Sequence, residues 1–136
     1  MAALTAGRNT PKRDGKDFSR PVAAATKLYQ GALVCLSATG YAVPGSTATT
    51  LTADGVARAD ADNSSGANGA ISVDVEKGVF RFVNSSAADA ITAAEIGDTC
   101  YIVDDQTVAK TDGTGTRSAA GPIVDVDAQG VWVRIS

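Results

Sequence analysis

Beyond residue 21, apolar and polar residues alternate over short stretches, and Gly, Pro, Asp and Asn break those stretches at close intervals. A period of two predicts strands with one buried and one wet face. The pattern predicts strands over 22–25, 31–36, 41–43 and 55–59. The Thr-rich stretch 46–52 reads as a further strand or an ordered loop, because β-branching disfavours a helix there. The clearest alternation lies at Ile71, Val73 and Val75 against Ser72, Asp74 and Glu76, followed by Lys77-Gly78 and a return over 79–83 with Phe80 and Phe82 on one face. It reads as a hairpin. Strands over 99–103, 107–110, 122–126 and 130–135 complete the set, the last two joined by the tight turn Asp127-Ala128-Gln129-Gly130. The one helical signal is short: Thr92 and Glu95 have capping-box spacing and Gly97 follows, which predicts about one turn over 93–96. Segments 60–69 and 111–119 read as loops on their turn chemistry.

About nine short strands with frequent turns predict a mainly β fold, an antiparallel β-sandwich or small β-barrel with one short helical turn. Residues 1–21 carry no apolar period, and Pro11 and Pro21 bar a helix through them. They are expected to form an extended N-terminal arm, with residues 22–136 as a single β domain.

Charge sharpens that division. The net charge of −3 conceals six basic and two acidic side chains in residues 1–27, against six basic and thirteen acidic in the rest. A basic arm on an acidic body suggests docking on a negative surface; a solvated tail is the other reading. Much of the 44% hydrophobic fraction is Ala, and the aromatics are three Tyr, three Phe and one Trp. Such a core buries little area per residue, which favours self-assembly or a partner. Cys35 and Cys100 lie in apolar runs and read as buried reduced thiols, a disulfide between them being the alternative. The N-terminus lacks an apolar stretch of signal-peptide length and nowhere do 18 apolar residues run together, so synthesis in the cytoplasm and no membrane partner are expected.

The chain contains no His. That removes Ser-His-Asp and Cys-His nucleophile pairs, the commonest zinc ligand and the usual acid or base near neutrality. Asp104-Asp105 and the pair Asp125 and Asp127 read as solvated turn carboxylates rather than a metal or acid-base pair. The stretch from Asp60 to Gly66 has acidic spacing reminiscent of a calcium loop, but Ser65 stands at its sixth position and Ile71 at its twelfth, where Gly and Glu would be needed. The Gly113-Thr114-Gly115 segment lacks the rest of a phosphate-binding fingerprint. Neither a catalytic site, a cofactor nor a metal site is predicted, and the acidic body with few aromatics argues against nucleic acid.

Two blocks carry a family likeness. One runs from Ala90 to Asp98 (AITAAEIGD) and on through Cys100 to Thr111 (CYIVDDQTVAKT). The other runs from Ala120 to Asp127 (AGPIVDVD) and then Gly130 to Ile135 (GVWVRI). In order and spacing they resemble the capsid decoration, or cement, proteins of tailed phages and prophages, over residues 22–136 and most strongly after residue 90. The resemblance implies a structural β-rich protein on the outer surface of the virion head, bound to major capsid protein, forming a homo-oligomer with a trimer favoured, and without catalysis or cofactor. Within that expectation the arm residues Arg8, Pro11, Lys12, Arg13, Lys16 and Phe18 are the candidate capsid contacts, ordering only on the particle. Trp132 alternates with Val131 and Val133; either it or the valines face the core, which leaves it as core or as an interface anchor. The alternative function is a β-sandwich module recognising a glycan or other receptor, which would need Tyr29, Tyr41 and Trp132 exposed on one face.

Overall fold

The strands fall where the alternation and β-branching lie, and they assemble into three pieces of sheet. The computed structural model describes residues 2–136. In chain order the strands are β1 (Asp17–Pro21), β2 (Thr26–Leu28), β3 (Leu33–Leu36), β4 (Ala42–Pro44), β5 (Thr52–Ala57), β6 (Ala61–Asn63), β7 (Ser72–Glu76) and β8 (Gly78–Asn84). After two single 3-10 turns, Ala87–Asp89 and Ala93–Glu95, come β9 (Thr99–Ile102), β10 (Thr107–Ala109), β11 (Ala119–Asp127) and β12 (Gly130–Ile135). A five-stranded sheet runs β1-β7-β5-β3-β4, a closed barrel runs β10-β8-β12-β11-β9, and β2 pairs with β6 as a ribbon. Pairing is antiparallel except where β10 lies parallel to β8 and closes the barrel. The fold is therefore mainly β, as the alternation predicts.

The five-stranded sheet is covered on both sides, and β3 shows why its sequence does not alternate. Leu33 and Cys35 join Phe82, Ile102, Val108, Val131 and Val133 in the barrel core. Val34 points the other way, into a second core with Val22, Leu28, Val73 and Val75 beneath the ribbon. A strand buried on both faces reads as a continuous apolar run. Each aliphatic side chain buried in these cores contributes roughly 1.5–3 kcal/mol.

The 71–83 segment is not a hairpin. β7 pairs with β1 and β5, whereas β8 pairs with β12 and β10. Only Lys77 separates the two strands, too little chain to reverse direction. The polypeptide instead crosses from sheet to barrel there, with Lys77 N–H donated to the Lys16 carbonyl at 2.7 Å. The expected strand over 22–25 reduces to a bridge at Val22, because the chain turns at Ala25 with φ 55°. Stretch 46–52 is the ordered loop rather than a strand up to Thr52, pinned by Ser118, whose hydroxyl donates to Ala48 O and accepts from Leu51 N. Segment 60–69, expected as a loop, contains β6 and is tied down by buried Asn63. Its Nδ2 lies 2.9 Å from both Ala23 O and Ala67 O.

The predicted helical turn is present as a 3-10 turn with a complete capping box. Thr92 Oγ1 accepts from Ala94 N, and Glu95 accepts from Thr92 N at 2.7 Å. The second turn, Ala87–Asp89, has no such side-chain cap, which is why the sequence does not announce it.

Candidate interaction surface

The extended stretch 1–21 divides into a free part and a rooted part. Residues 2–17 are exposed, and among the described residues Lys16 is the first to hydrogen-bond to the body through its backbone. From Asp17 the chain pairs residue by residue with β7, Asp17 opposite Glu76 and Pro21 opposite Ser72. β1 is the edge strand of its sheet, so among the described residues no strand lies beside its outer backbone groups.

What holds β1 is a buried carboxylate. Asp54, in β5, is 3% exposed. Arg20 reaches it with two bonds, Nε to Oδ2 at 2.7 Å and a terminal nitrogen to Oδ1 at 2.9 Å. Lys77 Nζ bonds the same Oδ1 at 3.0 Å and the Asp54 carbonyl at 2.8 Å. Burial alone would push the Asp54 carboxyl up, but the hydrogen bonds and charges of Arg20 and Lys77 outweigh it and hold the group below the usual carboxylate range. The same pairing raises Arg20. A buried charge persists when it is paired and its lone pairs are satisfied, and here one carboxylate joins the arm root, the sheet and the crossing into the barrel.

Phe18 covers the cluster. Its ring centroid is 4.7 Å from the Arg20 guanidinium, 5.3 Å from that of Arg13 and 5.4 Å from Lys77 Nζ. Three cations around one ring are a packed arrangement in which the ring quadrupole offsets their crowding. Exposed pairs add to it, Lys16 with Glu76 at 3.2 Å and Arg58 with Asp17 at 3.1 Å; such pairs contribute little individually.

The six arm residues singled out from the sequence therefore divide. Arg8, Pro11 and Lys12 lie in the exposed run, and Arg13 bridges it to the root by stacking on Phe18. Lys16 and Phe18 belong to the root itself, already ordered against the body. The expectation that residues up to 20 order only on a partner does not hold for 17–20, because Asp54 and β7 order them within the chain. Asp54 and Lys77 were not anticipated. A lone carboxylate inside the otherwise small and apolar Ala53-Asp54-Gly55-Val56-Ala57 is the signal that could have found them.

Trp132 lies on the outside of the barrel. Val131 and Val133 are fully buried, so the indole takes the other face, half-buried. Its Nε1 donates to Asp127 Oδ2 at 2.9 Å, and the Arg81 guanidinium sits 5.8 Å from its ring. Asp127 Oδ1 accepts from Gln129 N and Gly130 N and so closes the last turn. The indole bond and these turn bonds keep the Asp127 carboxyl low. The remaining candidate chemistry resolves into local structure. Asp104 accepts from Gln106 N, Asp60 from Gln30 N, and Asp62 from Ser64. Among the described residues no three acidic or Cys side chains come together as a metal site would require. Cys35 and Cys100 are free and buried, and burial pushes both thiols up to about 12, so neither is a nucleophile at neutral pH. Tyr29 follows β2 and is 56% exposed, Tyr41 precedes β4 and is half-buried, and Trp132 stands on the barrel. The three rings occupy three different pieces of sheet. Comparison of the chain with protein-family models, with curated proteins and with solved structures found no match.

Proposed function

We propose that this chain is a structural, non-catalytic protein that binds the outer surface of a phage head, through major capsid protein, and stabilises the capsid. The observation that carries the reading is the arm: an exposed basic segment, with Arg8 and Lys12 unpaired among the described residues, rooted in a rigid body by the strand β1 and the Asp54 cluster. The sequence likeness to decoration proteins supplies the partner. The arrangement suits that task physically. A segment that stays extended until it meets an acidic surface can lie along it or add to a sheet edge, where backbone bonds give affinity. A rooted arm transmits that grip to the body, whereas one attached by a flexible linker would not. Several copies displayed by an oligomer make weak single contacts sufficient.

The reading is tested by co-sedimenting the purified protein with expanded, undecorated heads and then heating the pellets beside bare heads. Saturable binding at a fixed ratio to capsid protein, with heads surviving a higher temperature, is the expected result. Failure to bind heads from its own phage would overturn the reading and make a glycan screen the next step.

A further inference from the structure

The outer face formed by β8, β12 and β11 carries exposed apolar side chains together with charges that make no salt bridge among the described residues. Val79 is 39% exposed and Val83 48%, both on β8; Val124 on β11 is 36% exposed and Ile96, beside it, 45%. Ile96 is placed there because the next residue, Gly97, donates its N–H to Ile123 O at 2.9 Å. Trp132 stands at the centre on β12. Pairing puts Arg81 beside it on one side and Asp125 on the other. The register shifts between Ile123 and Asp125, and this β-bulge leaves both Val124 and Asp125 exposed opposite Trp132 instead of turning one of them into the core.

The charges on this face are sorted. Arg81 and Arg134 lie on the β8 side and towards the end of β12, while Asp125 and Asp127 lie on β11 near the last turn, with Asp127 turned in to the Trp132 indole, close enough to feel the Arg81 charge. Among the described residues neither arginine makes a salt bridge, and Asp125 accepts only from the neighbouring Val126 N. An aromatic centre with Arg and Asp on opposed sides and an aliphatic surround has the composition of an interface core and rim rather than of ordinary solvated surface.

We infer that this face docks a second copy of the chain, face to face about a two-fold axis passing by Trp132 and running between the two sides. That axis lays the Arg81 and Arg134 side of one copy over the Asp125 and Asp127 side of the other, twice, and brings the two indoles together. An isologous contact needs such a self-complementary patch; a face of one charge sign would repel its copy and call for a different partner. The two-fold geometry gives pairs rather than the trimer that the family resemblance implies, and it does not depend on what the arm binds.

The test is analytical ultracentrifugation of the full chain over a range of concentration, beside three variants. Wild type is expected to show a monomer–dimer equilibrium that weakens with salt. Trp132→Ala is expected to raise the dissociation constant at least about tenfold. The combined Arg81→Glu and Arg134→Glu variant, with an all-negative face, and Asp125→Lys, with a mostly positive one, are each expected to be monomeric and to form a mixed dimer when combined. Circular dichroism of each variant separates loss of pairing from loss of fold. A wild-type chain that stays monomeric, or an oligomer that ignores these substitutions, overturns the inference.

Discussion

Residues 2–12 and residues 13–21 both carry Arg and Lys among small and polar residues, yet the first run is free and the second is fastened to the body, Arg13 on the Phe18 ring and residues 17–21 as β1. The difference lies in what faces them. Arg20 meets Asp54, a carboxylate withdrawn from water, and Phe18 lies over the resulting cluster; Arg8 and Lys12 make no salt bridge among the described residues. Basic residues in an arm therefore have two uses that composition cannot separate, one to fasten the arm and one to leave it available.

The comparison breaks most severely at Asp54. Asp54→Ala leaves Arg20 and Lys77 largely buried without their counter-charge, and a loss of about 3 kcal/mol is expected in urea unfolding. Amide exchange in β1 should accelerate more than in the barrel strands. Phe18→Ala removes the ring that the three cations share and is expected to cost about 1 kcal/mol, again with the loosening confined to β1.

Acid gives a reversible version of the first experiment. The folded Asp54 carboxyl sits below its unfolded value of about 3.9, so its contribution is complete above that value and disappears as pH falls through the folded one. Stability should stay level from neutrality to about pH 4 as far as this group is concerned and then drop, and Asp54→Ala should flatten that part of the acid limb in a pH series of melts. The smallest effect is expected from the free run. Replacing Arg8 and Lys12 together by Ala should leave unfolding within about 0.5 kcal/mol of wild type, while lowering the salt dependence of head binding.

Much of the fold was legible in residue pattern alone. β9 to β12 were readable as strands because their apolar residues are β-branched and broken by local turns such as the one Asp127 closes; alternation alone left open which of Trp132 and its two flanking valines faces the core, and the bulge in β11 was not visible in it. The 3-10 turn at Ala93–Glu95 was readable for the same reason, since Thr92 and Glu95 carry its whole signal. The supposed hairpin at 71–83 misled because alternation reports which face is buried, not which strand lies alongside; β7 and β8 each alternate and belong to different sheets. The arm root was illegible because its parts are far apart in sequence, Arg20 and Asp54 being 34 positions distant and Asp54 and Lys77 23. Asn63 likewise looked like a loop residue until the carbonyls of Ala23 and Ala67 were seen around it.

The central claim is that the free run grips and the rooted run transmits. Its most direct measurement is the binding isotherm on undecorated heads of the full chain beside one that begins at residue 13 and so keeps Arg13, β1, Phe18 and the Asp54 cluster while losing Arg8 and Lys12. The account predicts an unchanged melting temperature for the shortened chain and binding weakened at least about tenfold for each arm removed, on the order of 1.4 kcal/mol. Equal decoration by the two chains would contradict it.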